Sequence, residues 1–143
     1  RPAASPEVVA ALEAADLVLL APSNPLVSVN PILNVQPVRE LLCERPVAAV
    51  SPIIGGQAVR GPAAKMMREL GLEASSLGVA RAYGPELLDG LLLDETDAGL
   101  APAIEALGIR ARPAAIWMRS DADRVALARA ALDWGARLAA GDE

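Results

Sequence analysis

Two patterns of apolar and polar positions alternate along the chain. Short apolar runs within Leu17–Ala21, Pro46–Val50 and Leu87–Leu93 predict buried strands, and Ile109–Arg112 predicts a short fourth strand. The longer stretches between them have the spacing of helices. Near-continuous apolar strands that alternate with helices are typical of a parallel sheet covered on both faces. The sequence therefore predicts an α/β fold, a three-layer Rossmann-like parallel sheet with helices on both faces.

Start and stop signals place the helices along the chain. Ser5 is predicted to cap a first helix that begins at Pro6, and Ser120–Asp123 resembles a capping box at the start of a terminal helix. The first helix is predicted to bury Val8, Val9 and Leu12, and the terminal helix Leu127, Ala131, Trp134 and Leu138. Further helices are expected at Pro37–Glu44, Pro62–Leu70, Ser75–Tyr83 and Ala98–Leu107, with Pro22–Asn34 irregular and Ser51–Gly61 a glycine-rich loop.

Composition narrows the classes of function. The 143 residues are 53% hydrophobic and 22% charged, as expected for one globular domain. A net charge of −5 and an aromatic content of 2% argue against nucleic-acid binding. The sequence has no histidine, which excludes histidine-based triads and metal sites. A single cysteine, Cys43, and no apolar run of the roughly 18 residues that span a bilayer predict a cytoplasmic protein without a disulfide.

The stretch after the first predicted strand is the first candidate for chemistry. Ligands of open α/β sheets bind beyond the carboxyl ends of the strands. Ser23, Asn24 and Ser28 offer hydroxyl and amide groups suited to phosphate oxygens or to the edge of a base. The alternative is that the Pro and Asn residues of this stretch only form turns.

A glycine-rich segment with a lysine follows the second predicted strand. Gly55 and Gly56 allow backbone N–H groups to approach an anion closely. Lys65 is the only lysine beside twelve arginines, and it falls in the first turn of a predicted helix, where a bound anion would offset its unfavourable position. The alternative is a surface lysine that pairs with Glu69 one helical turn later.

Acidic residues follow the third predicted strand. Clustered carboxylates at a strand end, here Asp94, Glu95 and Asp97, can hold Mg²⁺ when a phosphate completes its coordination shell. The alternative is that Thr96 or Asp97 caps the next helix.

Together, Ala21–Ser28, Ser51–Met67, Leu77–Tyr83 and Asp89–Asp97 resemble, in this order, the carboxyl-terminal part of the 2-phospho-L-lactate transferase family (CofD, called FbiA in actinobacteria). The resemblance implies a transferase of coenzyme F420 biosynthesis that uses Mg²⁺ and acts as a homodimer. Such an enzyme moves a 2-phospholactyl or phosphoenolpyruvyl group from a guanosine diphosphate-linked donor to the deazaflavin alcohol FO and releases GMP. The sequence leaves open whether the donor carries lactate or enolpyruvate.

The resemblance also implies roles for individual residues. The catalytic residues would be Lys65 and Asp94, and the metal ligands Asp94 and Asp97. The guanine nucleotide would contact Ser23, Asn24, Pro25 and Ser28, and the diphosphate or the deazaflavin would contact Gly55, Gly56 and Arg60.

The front of the chain departs from the family pattern. Family members begin with a strand and a glycine-rich nucleotide-binding loop, and neither precedes the first predicted helix here. We therefore expect residues 1–143 to form a single α/β domain or the carboxyl-terminal portion of a CofD-like transferase domain. One alternative is a sugar-nucleotide-binding regulatory protein of the gluconeogenesis-factor type, whose members have a different loop in place of Ser23-Asn24-Pro25. Another is an assembly surface without nucleotide affinity.

The role of Lys65 is directly testable. We predict that Lys65→Ala weakens the binding of nucleotide or acceptor and leaves the fold intact, as measured by calorimetric titration and circular dichroism. Unchanged binding and turnover would remove Lys65 from the site.

Overall fold

The computed structural model of the protein describes residues 2–142. The helices are α1 (Pro6–Glu13), α2 (Asn30–Leu33), α3 (Val38–Leu42), α4 (Ala63–Glu69), α5 (Ser76–Tyr83), α6 (Ala101–Glu105) and α7 (Asp121–Ala140). A π-helical turn (Pro25–Val29) precedes α2, and a 3₁₀ segment (Glu95–Leu100) precedes α6. The strands are β1 (Val18–Leu20), β2 (Val47–Val50), β3 (Ile53–Ile54), β4 (Gln57–Ala58), β5 (Gly90–Asp94) and β6 (Arg110–Ala114). Of the helices within residues 2–142, none is both long and apolar enough to cross a membrane.

Four parallel strands form the main sheet, in the order β1-β2-β5-β6. The register pairs Val18 with Val47, Ala49 with Leu91, and Leu91 with Ala111. Because the strands run the same way, their carboxyl ends share one edge of the sheet. The predicted α/β, Rossmann-like fold class is confirmed.

The two faces of the sheet have different helical covers. Side chains alternate along a strand, so Val47 and Ala49 of β2 belong to one apolar core, whereas Ala48 and Val50 belong to the other. The first core includes buried residues of α3, α4, α5 and α6. The second core is covered by α7 through four buried side chains, and this confirms the predicted apolar face: Leu127, Ala131, Trp134 and Leu138.

Two glycines let α7 lie close to the sheet. A Cβ atom on Gly90 of β5 would stand 2.5 Å from Leu138 Cδ1 and 2.7 Å from Trp134 Cη2. A Cβ atom on Gly135 of α7 would stand 2.4 Å from Leu17 Cδ2. Glycine at both positions therefore permits this close packing, since a Cβ atom would force the Trp134 ring or the Leu17 and Leu138 side chains to shift.

The start of α7 follows the predicted pattern. The Ser120 hydroxyl accepts a hydrogen bond from the Asp123 backbone N–H at 3.2 Å, and the Asp123 carboxylate accepts one from the Ser120 N–H at 2.8 Å, which confirms the capping box. These contacts, with a further one from the Arg119 N–H, hold the pKa of Asp123 below its usual value. Gly141, with a left-handed backbone, ends the helix.

The first helix is less buried than predicted. It begins at Pro6 as expected, but Ser5 makes no capping hydrogen bond, because its hydroxyl interacts with Glu7 and lowers the pKa of that carboxyl group. Val8 is 45% exposed, and Val9 and Leu12 are only half-buried. Ser5 thus occupies the predicted cap position without the capping hydrogen bond, and the predicted face is only partly buried: Leu12 packs against the first core, whereas Val8 is exposed. The helix α1 contacts α3.

Two irregular segments are more ordered than predicted, and one predicted helix begins earlier. Pro22–Asn34 contains the π-helical turn and α2, because the Asn24 side chain caps the turn and Pro25 occupies its first position. Ser51–Gly61 contains the β3–β4 hairpin. The helix expected at Ala98–Leu107 begins earlier, as the 3₁₀ segment, because Asp94 caps it.

The close contact between α7 and the sheet can be tested by its effect on stability. Gly90→Ala should lower the free energy of unfolding by about 1–3 kcal/mol, because the new methyl group overpacks the space against Trp134 and Leu138. Urea unfolding would measure this change. Gly99→Ala is the matched control, since its Cβ atom would meet nothing within 4 Å. Equal stability of the two variants would contradict the close packing.

Candidate functional site

A groove of about 200 Å³ opens at the carboxyl edge of the sheet. We call it the edge groove. Ten residues line it: Pro22, Ser23, Asn24, Ser51, Pro52, Val59, Arg60, Ile116, Met118 and Arg124.

Strand direction explains why these residues meet. Pro22–Asn24 follow β1, Ser51 and Pro52 follow β2, and Ile116 and Met118 follow β6. The carboxyl ends of parallel strands lie side by side, and chain segments that leave them diverge to form a crevice. The edge groove is therefore at the position where open α/β sheets bind their ligands.

The charge of the edge groove is opposite to that of the protein. Arg60 and Arg124 line it, and none of its ten lining residues is acidic, whereas the whole chain has a net charge of −5. Arg124 pairs with Asp121 on the same helix. Within residues 2–142, no carboxylate forms an ion pair with Arg60. The groove therefore favours an anionic ligand, and the guanidinium groups match the geometry of phosphate.

Hydroxyl groups support the floor of the edge groove. The buried Ser76 hydroxyl donates to Ser51 Oγ at 2.9 Å, and Ser51 Oγ accepts from the Ile53 N–H at 3.1 Å. Ser51 Oγ also donates to the Ile53 carbonyl at 3.1 Å. These bonds hold β3 against the end of β2 and so fix one wall of the groove. No role was predicted from the sequence for Ser51 or Ser76.

Two of the four predicted nucleotide contacts line the edge groove. Ser23 lies there half-buried, and so does Asn24. The Asn24 side chain is already engaged, because its Oδ1 accepts from the Leu26 N–H at 2.9 Å and its Nδ2 donates to Met66 Sδ at 3.5 Å. Pro25 is buried at the start of the π-helical turn, and Ser28 is exposed on that turn. Neither Pro25 nor Ser28 lines the groove.

The glycine pair forms the turn of the β3–β4 hairpin. Gly55 and Gly56 both have positive φ angles, of 56° and 74°, as a two-residue hairpin turn of the primed type requires. The Gly55 N–H donates to Asp97 Oδ2 at 2.9 Å, and the Gly56 carbonyl accepts from Arg68 Nη2 at 2.5 Å. The Asp97 carboxylate therefore already accepts a hydrogen bond from the Gly55 N–H, which was predicted to be available to a bound anion. Arg60, just after the hairpin, does line the groove.

Lys65 lies apart from the edge groove. Its ammonium group is 3.7 Å from Glu69 Oε1, one turn later on α4, and both side chains are largely exposed. This is the surface pair that the sequence analysis gave as the alternative, and Lys65 is not among the groove-lining residues. Its catalytic role stays a prediction.

The predicted metal ligands lie at the end of β5 and in the 3₁₀ segment that follows it. Asp94 is 8% exposed, and its Oδ1 accepts from the Thr96 N–H at 3.1 Å and the Thr96 hydroxyl at 2.8 Å. Asp97 holds the hairpin through Gly55, as described above. In the described part of the chain, no three acidic or cysteine side chains are grouped to hold a metal ion. A cation at this position would need oxygen ligands from a bound substrate as well.

Residues after β6 complete the site, and the sequence analysis did not identify them. Ile116 is buried and Met118 is half-buried, whereas Trp117 and Arg119 are exposed. This alternation is that of an extended segment with one face against the core. The residues Ile-Trp-Met-Arg do not reveal it, because the exposed Trp117 is itself apolar. The role of Arg124 depends on the position of α7, which no local pattern shows.

Fold and groove together define a class: an α/β protein of the Rossmann-like type with a positively charged crevice at the carboxyl edge of its sheet. The family model for 2-phospho-L-lactate transferase CofD matches residues 1–114. The chain belongs to the CofD family. The resemblance stated from the sequence is thereby confirmed.

Curated relatives agree with this assignment. The chain is 43% identical to a phosphoenolpyruvate transferase of Streptomyces griseus over 131 residues, 90% of this chain and 41% of the relative. It is 44% identical to a 2-phospho-L-lactate transferase of Methanothermobacter thermautotrophicus over 125 residues, 87% of this chain and 40% of the relative. A 2-phospho-L-lactate transferase of Methanosarcina acetivorans is 48% identical over 114 residues, 80% of this chain and 37% of the relative. The chain thus spans about two fifths of the length of the relatives it matches.

Proposed function

We propose that this chain supplies the donor-binding edge of a transferase of coenzyme F420 biosynthesis. The enzyme would move a 2-phospholactyl or phosphoenolpyruvyl group from a guanosine diphosphate-linked donor to the deazaflavin alcohol FO, with release of GMP. The observation that carries the proposal is the edge groove, which presents Arg60 and Arg124 without a lining carboxylate in an acidic protein. The transferase names of the relatives favour this function over a regulatory sugar-nucleotide-binding protein.

The lining of the edge groove fits the parts of a nucleoside diphosphate. Arg60 would bind the phosphate oxygens, since a guanidinium group donates two parallel hydrogen bonds to a phosphate. Ile116, Met118 and Val59 offer apolar surface to the flat faces of a base. The Ser23 hydroxyl is placed to bond the base edge or the ribose.

The proposed reaction is transfer at a phosphorus atom. The ribityl hydroxyl oxygen of FO attacks the phosphorus that bears the lactate or enolpyruvate, and the new O–P bond replaces the bond to GMP. The hydroxyl proton passes to water, and GMP leaves with the bridging oxygen. Little covalent chemistry is required of the protein, so positioning and charge neutralisation carry most of the rate. Arginines at the diphosphate supply this neutralisation, and no histidine is needed.

Magnesium belongs to the proposal, with Asp94 and Asp97 as its carboxylate ligands. Mg²⁺ is commonly bound by one or two carboxylates together with substrate phosphates and water. The donor set fits in this sense, because Asp94 Oδ1 bonds Thr96 and Asp97 Oδ2 bonds Gly55, so each carboxylate has a second oxygen to offer. When bound, the ion would neutralise the charge of the diphosphate. Lys65 and Asp94 remain the proposed catalytic residues, and Gly55 and Gly56 remain proposed contacts of the diphosphate or deazaflavin.

The proposal also concerns the identity of the donor, the oligomeric state of the protein and its location in the cell. Relatives named for phosphoenolpyruvate and for 2-phospho-L-lactate are 43% and 44% identical, so identity does not separate the two donors. Membership of the family supports a homodimer, and it supports a cytoplasmic location. The complete transfer is proposed for the whole transferase, of which this chain matches about two fifths.

The proposed binding of nucleotide in the edge groove can be tested by substituting Arg60. Arg60→Ala should weaken GDP binding about 10- to 100-fold in calorimetric titration, as expected for the loss of charged hydrogen bonds to phosphate. Arg129→Ala is the matched control, because it removes the same charge from an exposed position on α7 that does not line the groove. The proposal would be contradicted if the unsubstituted chain bound no GDP, or if both variants lost affinity equally.

A further inference from the structure

The β3–β4 hairpin is too short to hold its own position. Each of its strands has two residues, and an isolated two-stranded hairpin is only marginally stable in water. Ile53 at its base is fully buried, but the turn is exposed at Gly55, and so is Gln57 beside it. Contacts with the rest of the structure must therefore fix the tip of the hairpin.

Side chains from two other elements hold the two glycines of the turn. The Gly55 N–H donates to Asp97 Oδ2 at 2.9 Å, and the Gly56 carbonyl accepts from Arg68 Nη2 at 2.5 Å. In a two-residue turn the hydrogen bonds of the hairpin itself join the flanking residues, so these two backbone groups are left for outside partners. A carboxylate therefore holds the N–H side of the turn, and a guanidinium group holds its carbonyl side. We call this pair of contacts, made by Asp97 and Arg68, the hairpin clamp.

Both residues of the hairpin clamp stand on elements that are fixed in place. Arg68 follows the fully buried Met67 on α4, and other side chains of that helix are buried too. Asp97 lies in the 3₁₀ segment that the Asp94 side chain caps. Hydrogen bonds to ionised groups are stronger than those between neutral groups. The clamp therefore restrains the hairpin, which is the more loosely held partner.

The contact of Arg68 closes the loop that contains Arg60. Gly56 and Arg68 are 12 positions apart, and Val59 and Arg60, which line the edge groove, lie between them. Joining the ends of a segment reduces the number of conformations that it can adopt. The Arg60 side chain is exposed, and of the ion pairs among residues 2–142 none includes it. Its position at the groove therefore depends on the backbone that carries it.

Arg68 is engaged with the hairpin and not with an acidic side chain. Glu69 beside it is 3.7 Å from Lys65, and no ion pair among residues 2–142 includes Arg68. Arg68 is also not among the residues that line the edge groove. Its influence on a ligand in the groove would therefore be indirect, through the loop that it closes.

We propose that Arg68 is a positioning residue, which holds the β3–β4 hairpin by the Gly56 carbonyl and so sets Arg60 in place for the phosphates of the donor. This inference rests on the proposed function, which supplies a nucleoside diphosphate as the ligand of the edge groove. Without the Arg68 contact, the hairpin and the loop after it adopt more conformations. Binding must then order them, and this ordering lowers the affinity.

Titration of single and double variants with GDP tests whether Arg68 acts through Arg60. Arg68→Ala should weaken GDP binding about three- to tenfold, because the loop has to be ordered on binding. In the double variant Arg60→Ala/Arg68→Ala, the affinity should equal that of Arg60→Ala within about twofold, because coupled residues have non-additive effects.

Arg39→Ala is the matched control for Arg68→Ala. Arg39 is an exposed arginine in the last turn of α3, as Arg68 is in the last turn of α4, and it does not line the edge groove. GDP affinity should therefore be unchanged in Arg39→Ala, although the variant loses the same charge.

Amide hydrogen exchange without ligand, measured by NMR, tests the hairpin clamp itself. The Gly55 N–H is bonded to Asp97, and the Val59 N–H donates to the Pro52 carbonyl at 3.3 Å. Both amides should exchange about threefold faster or more in Arg68→Ala, whereas the amides of β5 should keep their rates, because only the hairpin is loosened. Unchanged rates at Gly55 and Val59, or an equal rise in β5, would overturn the inference.

The titrations separate the inference from the proposed function. Unchanged GDP affinity in Arg68→Ala would overturn the inference. A further three- to tenfold loss on adding Arg68→Ala to Arg60→Ala would overturn it too, because Arg68 would then act independently of Arg60. Absence of GDP binding by the unsubstituted chain would contradict the proposed function instead, and faster exchange at Gly55 and Val59 alone would still support the clamp.

Discussion

The contact of Trp134 and Leu138 with the bare backbone of Gly90 determines where the last helix lies, and the rest of the site depends on that helix. Without a Cβ atom at Gly90, the indole of Trp134 reaches the surface of the central strand. In the same way, the absence of a Cβ atom at Gly135 lets the backbone of α7 approach the side chain of Leu17, which directly precedes β1. Because α7 is held at this depth, the segment before it runs along the sheet edge, with Ile116 and Met118 inward. One packing constraint on the second face thus positions both a wall of the edge groove and the exposed side chain of Trp117.

Electrostatics and hydrogen bonding then divide the carboxyl edge into two parts. Arg60 and Arg124 give the edge groove a positive charge, and the acidic turn after β5 lies on the far side of the hairpin. Asp97 joins the parts, since its carboxylate holds the Gly55 N–H and so fixes the hairpin between them. A positively charged crevice beside a carboxylate-bearing turn is a suitable arrangement for the proposed phosphoryl-type transfer, in which positioning and charge neutralisation are the main requirements.

The fold was largely predictable from local pattern, and the site only in part. Uninterrupted apolar runs such as Val47–Val50 indicate buried parallel strands, and Ser120 with Asp123 indicates a helix start, because both signals are local. The helical turn after Asn24 was missed, since its prolines also favour turns. The hairpin at Gly55–Gly56 was missed because strands of two residues carry no periodicity. Arg124 lines the groove only through the tertiary position of α7. By contrast, Ser23 and Asn24 lie in the stretch after the first predicted strand and Arg60 in the glycine-rich segment after the second, and the sequence suggested all three as candidates.

The central claim is that the edge groove binds the guanosine diphosphate part of the donor. The most direct measurement is a two-dimensional amide NMR titration of this chain with GDP. The account predicts that the largest shifts occur at Ser23, Ser51, Arg60 and Met118, which lie far apart in sequence and meet only at the groove. Shifts confined to α1 and α3, or no saturable shifts at all, would contradict it.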